Sequence, residues 1–213
     1  MEGLRLSDNE KSCLFNPKRL MTSAVSIPNK KPPFEVLTCR RWASPAGELL
    51  LAARNGKLIL CDWAEGMHRE EITRKFLNAR IRFVEAPACS IDEADPVVKQ
   101  AVEELSAYFR GDLQTFTVPV EIFGTDFEKR VREALRQIPF GALASYAEVA
   151  AAAGSPAAAR AVGRAVGLNP VSIIIPCHRV VGTNGKLTGY GGGLAAKTML
   201  LGIEGHPELG ADD

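Results

Sequence analysis

Cys177, His178 and Arg179 stand side by side, directly after the β-branched apolar run of residues 171–176. A thiol beside an imidazole is the residue pair that nucleophilic catalysis uses. An ordinary thiol, with a pKa of ~8.5, is only a few per cent thiolate at pH 7. Lowering that value by about 1.5 units makes half of it thiolate, a differential stabilisation of about 2 kcal/mol. The surrounding charge favours this. Between Glu148 and Glu204 there is no acid, whereas Arg160, Arg164, Arg179, Lys186 and Lys197 contribute five positive charges. On charge alone a solvated face accounts for the run as well as an anion-binding surface does; the pointed candidate for the anion is a nucleic-acid backbone. Neighbouring side chains do not face each other in a regular strand or helix, so His178 is expected to reach Cys177 through a turn or a bridging water. Cys13, Cys39, Cys61 and Cys89 read as small hydrophobes. With no C-x-x-C and three histidines, no metal is expected.

The elements around this pair must position it. A chain of 213 residues holds one large domain or two small ones, and a net charge of +1 excludes a globally basic, nucleic-acid-coating protein. The 46% apolar content excludes a wholly disordered chain. No stretch approaches the ~18 apolar residues of a membrane span, so no membrane partner is expected. Lys11, Asn16, Lys18 and Arg19 interrupt any secretory h-region. Five widely spaced cysteines argue for a reducing compartment, here the cytoplasm. Residues 1–33 read as a disordered or loosely packed tail.

Residues 34–119 read as a small α/β domain. A strand over 35–42 precedes a turn at 44–47, and strands 48–54 and 57–63 flank Asn55-Gly56, a strong hairpin signal. A helix over 67–78 and a strand over 80–85 follow. Asp95-Pro96 opens a helix whose stripe is Val98, Val102, Leu105 and Phe109, closed by Gly111; a strand is expected near 115–119. Residues 124–207 have helical grammar. Thr125 and Glu128 form a capping box for a helix with Phe127, Val131, Leu135 and Ile138 on one face. Ser145 and Glu148 form a second, for a short helix ending at Gly154, and Ser155-Pro156 caps a third over 157–167. Two short helices joined by a turn are helix-turn-helix grammar. The third is Ala-rich, which suits close helix packing; yet Arg160 and Arg164 share a face, with no acid on that helix to pair them. Asn169-Pro170 stops it, and 171–176 reads as a buried extended segment delivering Cys177. The expected class is α/β (α+β): a small N-terminal mixed sheet domain, then a mainly helical, winged-helix-like domain.

The string Asn169-Pro-Val-Ser-Ile-Ile-Ile-Pro-Cys-His-Arg-Val-Val181 resembles the active-site signature of O6-alkylguanine-DNA alkyltransferases, the methylated-DNA–protein-cysteine methyltransferases. Residues 158–163, 189–197 and 204–206 match at that family's spacing. The likeness is sharp over 124–206 and looser over 36–118. It implies that Cys177 takes the alkyl group from O6-methylguanine, and from O4-methylthymine, irreversibly and once per molecule, with no cofactor. His178 then resembles the base acting on a water beside the thiol, and Glu204 the carboxylate that orients it. The implied partner is double-stranded DNA carrying O6-alkylguanine, bound by a monomer with its helix-turn-helix in the minor groove. Arg160 resembles the finger that fills the gap left by the flipped nucleotide, and Arg164 joins it on the DNA-binding face. Tyr146 resembles the residue beside the 3′ phosphate and guanine N3. Asn169 is the implied hinge, Tyr190 and Gly191 the implied pocket wall, and backbone groups at Cys177 and Val180 read the base edge. The family often has a serine at Gly191, and Gln and Trp where Glu128 and Arg132 stand. Two other readings are weaker. An alkyltransferase-like binding protein lacks the reactive cysteine, and a helix-turn-helix regulator leaves the Cys-His pair unexplained.

Overall fold

The computed structural model describes residues 33–86, 94–183 and 185–210. Cys13, Cys89 and all of the tail but Pro33 lie outside the described residues. The fold is mixed α/β, with a sheet first and helices after it. Strands β1 (Glu35–Ser44), β2 (Gly47–Arg54), β3 (Lys57–Trp63) and β4 (Ile81–Glu85) form a sheet of order β3-β2-β1-β4. β1 is antiparallel to β2 and parallel to β4. The β2–β3 turn has Asn55 at φ 50° and Gly56 at φ 71°, and two positive φ values in a two-residue loop match the right-handed strand twist.

Alternate residues of β2 serve opposite faces. Leu49 and Leu51 join a cluster with Val98, Ala101, Leu105 and Tyr108 of α2 (Pro96–Phe109). Leu50 and Ala52 join Ile72 and Phe76 of α1 (Arg69–Asn78). At the end of the α2 stripe Tyr108, not Phe109, is fully buried, because its hydroxyl finds an acceptor below. The α2 cluster continues without a break into Val131, Val162, Ile175 and Leu200 of the second half.

Two expected strands are absent. Residues 115–119 make no strand: the N–H groups of Thr117 and Val118 donate to Glu104 Oε2 at 2.8 and 3.1 Å, and contact with β3 is limited to Leu58, whose N–H donates to Pro119 O at 2.7 Å. Only Val120 bridges to Leu58. Residues 171–176 are not extended either. Ile173 has φ 70°, a left-handed value unusual for a β-branched residue. Ile174 N donates to Ser172 O, and Ile175 N to Val171 O at 3.0 Å, curling the run into a buried turn.

Both capping boxes form as read, starting α3 (Asp126–Arg136) and α4 (Tyr146–Ala152). The third helix starts as a 3₁₀ turn at Pro156–Ala158 and becomes α-helical as α5 (Ala159–Gly167). Short strands β5 (Ala144–Ser145) and β6 (Val180–Val181) pair in parallel, and α6 (Gly193–Ile203) closes the fold. Among the described residues no helix is long and apolar enough to cross a membrane.

Candidate active site

The outer edge of β3 holds the reactive turn. Cys61 N donates to Pro170 O at 2.9 Å, and Ser172 N donates to Cys61 O at 2.7 Å. An edge strand has unpaired backbone groups, and here they register residues 170–172 against the sheet. The curled run then delivers Cys177 at the start of a 3₁₀ turn, Cys177–Arg179.

Asn169 is the internal tie of this turn. Its Oδ1 accepts from Val171 N, and its Nδ2 donates to Ile175 O at 2.9 Å and to Cys177 Sγ at 3.2 Å. The hinge position expected for Asn169 thus comes with a direct contact to the thiol. That donor favours the thiolate, as do the Ser172 hydroxyl and the Lys197 charge, but burial outweighs them and the Cys177 pKa is raised. A thiol with 5% exposure sheds more solvation than these partners return, so its proton has to be drawn off by a neighbouring base.

Beneath it lies Glu204, 4% exposed. Its Oε1 accepts from Tyr108 Oη (2.8 Å), His178 Nε2 (2.8 Å) and Arg179 Nη2 (2.9 Å), and its Oε2 from Arg179 Nε (2.8 Å) and Gly141 N (3.3 Å). Burial pushes the Glu204 pKa up, but its hydrogen bonds to His178 and Arg179 and the charge of Arg179 win and hold it at about 2. Burial pushes His178 down. The pair is therefore a neutral imidazole on a carboxylate whose counter-ion is Arg179, and the proton on Nε2 points at Glu204. Nδ1, buried and without a hydrogen bond among the described residues, is left as the basic atom.

Tyr146, Asn169, Cys177, Tyr190 and Gly191 line one cavity of about 100 Å³, with Asp62, Gly66, Met67 and His68 from the first half. Tyr146 Oη is 2.7 Å from Thr188 Oγ1. Tyr190 stands edge-on to Trp63, ring centroids 5.9 Å apart. A Cβ at Gly192 would fall 2.3 Å from the Trp63 ring, so the loop needs glycine there.

The remaining expected residues lie apart from this cavity. Val180 O accepts from Lys197 Nζ at 2.6 Å. Lys197 is 1% exposed, and burial lowers its pKa to about 8. Arg160 is exposed and makes no hydrogen bond or ion pair among the described residues. Arg164 corrects the picture of two unpaired arginines: it forms an ion pair with Glu71 of α1, a partner the sequence of α5 could not reveal. Glu128 pairs with Lys75, and Arg132, 1% exposed, donates to Phe123 O and to Leu168 O. Sequence reasoning missed Asp62, Trp63 and Tyr108; the available signal was a single acid in the otherwise apolar run 58–63.

Comparison with known proteins gives consistent relatives. Residues 126–206 match a family model described as "6-O-methylguanine DNA methyltransferase, DNA binding domain". A methylated-DNA–protein-cysteine methyltransferase of Mycobacterium leprae is 38% identical over 174 residues, covering 82% of this chain and 96% of that one. One from Methanosarcina acetivorans is 40% identical over 164 residues, 77% and 96% of the two chains. The crystal structure of Mycobacterium tuberculosis OGT in complex with DNA superposes with a TM-score of 0.65 at 41% identity, over 78% of this chain and 92% of that one.

Proposed function

The chain belongs to the methylated-DNA–protein-cysteine methyltransferase family, and from that premise we propose that Cys177 is the residue that takes the alkyl group from O6-alkylguanine. The protein is a DNA-repair enzyme that acts by direct reversal on duplex DNA. The single observation that carries the assignment of Cys177 is its setting. It alone of the described cysteines lines the cavity, with Asn169 donating to its sulfur.

The resting thiol must lose its proton before it attacks. His178 Nδ1 receives it through a bridging water, and Glu204 stabilises the imidazolium that forms. Arg179 keeps Glu204 ionised throughout, so charge separates only between Cys177 and His178. The thiolate, held by the Asn169 amide, attacks the alkyl carbon in line. The C–S bond forms, the C–O6 bond breaks, and its electron pair leaves on the purine. The thioether is stable, so each molecule acts once. O4-methylthymine carries its methyl group on the same kind of exocyclic oxygen, and the same chemistry extends to it.

The oxygen is out of reach in a stacked duplex, so the nucleotide must be flipped. Arg160, exposed on α5, is the side chain that takes its place, and Tyr146 hydrogen-bonds the base at N3. Arg164, tied to Glu71, contributes to DNA binding only by exchanging that partner for a phosphate. A reaction that needs a free thiol suits a reducing compartment, and the cytoplasm is the proposed location; Cys39, Cys61 and Cys177 are all free.

Cys177→Ser is the direct test. The variant is expected to bind a duplex carrying O6-methylguanine and to remove no methyl group; clearance of the lesion would move the acceptor elsewhere. His178→Ala is expected to slow alkylation by free O6-benzylguanine at neutral pH by roughly 10²-fold, the scale of a lost general base. Its rate should climb with pH as the raised thiol titrates without help. A pH–rate profile overlaying the wild type would remove the base role from His178.

A further inference from the structure

Asp62 projects from β3 into the wall of the Cys177 cavity, 3% exposed, and the mechanism above leaves it unused. Its Oδ1 accepts from Ser172 Oγ at 3.3 Å, and its Oδ2, equally buried, has no hydrogen-bond partner among the described residues. The titratable and charged groups around it are Arg69 on α1, Cys61 on β3, Cys177 on the reactive turn and Tyr190 on the loop before α6. None of them forms an ion pair with it among the described residues. A buried, unpaired carboxyl favours its neutral form. Burial raises its pKa to about 7, against the Trp63 backbone N–H, the Arg69 charge and the Ser172 hydroxyl. Near neutral pH such a group offers one O–H and one bare oxygen to whatever enters the cavity.

We propose that Asp62 is a further catalytic residue: it pairs with the N1 and N2 edge of the flipped O6-alkylguanine and delivers a proton to N1 as the alkyl group departs. This rests on the reading of Cys177 as acceptor. With the alkyl carbon at Sγ, the atoms that follow O6 along the base edge are N1, an acceptor in the alkylated base, and the N2 amine, a donor. A neutral carboxyl complements both at once. The opposite side, O6 and N7, offers two acceptors and would leave the second carboxyl oxygen without a donor. The step balances. The thiol proton goes to His178, the C–S bond forms, the C–O6 bond breaks, C6=O6 re-forms, and N1 takes the proton of Asp62. The resulting carboxylate then faces N1–H and the N2 amine of guanine, both donors.

Single-turnover transfer by the full-length protein is measured on duplexes carrying O6-methylguanine or its 1-deaza analogue, in which a C–H replaces N1. Asp62→Asn keeps the shape and the Ser172 contact but has no proton to give; Asp62→Ala removes the group. Both are expected to slow transfer from O6-methylguanine about tenfold or more. The 1-deaza base should slow the wild type similarly, and the Asp62 changes should then cost less than about twofold more, as a coupled pair requires. A merely structural tie between β3 and the reactive turn would slow both substrates equally in each variant, and that result overturns the proposal. So does wild-type speed of Asp62→Asn on O6-methylguanine, which needs no loss of fold to be seen. A wild-type protein that transfers no methyl group from O6-methylguanine would overturn the acceptor assignment and this inference together; a competent wild type matched by its variants overturns the inference alone.

Discussion

Glu204→Gln is expected to lower stability by about 3–5 kcal/mol near pH 7, the scale of breaking a buried ion pair, and Tm by roughly 10 °C. The carboxylate accepts five hydrogen bonds from Tyr108, His178, Arg179 and Gly141. A glutamine has one acceptor oxygen, and its NH₂ must face one of these donors. Arg179, 6% exposed, is then left as a buried cation without a counter-ion. The same change deprives His178 of the anion that stabilises its protonated form, so transfer falls with stability. The pH dependence has a definite sign. Glu204 titrates at about 2 in the folded protein, below an ordinary carboxylate near ~4.3. Its contribution is therefore complete above the unfolded value and lost as pH falls toward the folded one. The gap in stability between wild type and variant should narrow as pH drops from about 5 toward 2, followed by denaturant unfolding at each pH. A variant that unfolds with the wild type at pH 7 would show that Arg179 is satisfied elsewhere.

Arg160→Ala is expected to cut repair of duplex O6-methylguanine by roughly 10²-fold while changing the reaction with free O6-benzylguanine by less than about twofold. Flipping costs a few kcal/mol, and losing even about 2.7 kcal/mol of the compensation is a hundredfold in rate. Arg160 is exposed and makes no hydrogen bond or ion pair among the described residues, so the free-base reaction is expected to report an intact pocket. Equal losses on the two substrates would make it a residue of the fold. Arg164→Ala differs in kind, since it also releases Glu71 from its ion pair.

What was legible in the sequence was mostly local. The two capping boxes act across three residues, and the Asn55-Gly56 turn across two, so residue types alone specify them. The 169–181 string located the nucleophile because the residues that hold it, Asn169 above all, lie within eight positions of it. Errors arose where a distant partner decided. Glu104 takes the N–H groups that a strand at 115–119 would have used, and Glu71 reaches Arg164 across 93 residues. Residues 171–176 carry a strand's composition, yet Ile173 adopts a left-handed backbone because the turn is pinned to Cys61 and Asn169. The raised Cys177 pKa follows from burial by both halves of the chain, which no local window reports. Asp62 stood in plain view as an acid among apolar neighbours, but only the sheet edge brings it to the cavity.

The chemistry reduces to one irreversible alkyl transfer to a thiol that His178 and Glu204 activate. Intact-protein mass after incubation with a large excess of O6-methylguanine duplex tests it most directly. The expected result is a plateau at one added methyl group per chain, mapping to the peptide that contains Cys177 and absent from Cys177→Ser. Methylation of Cys39 or Cys61 instead, or lesion removal that continues beyond one equivalent of protein, would contradict it.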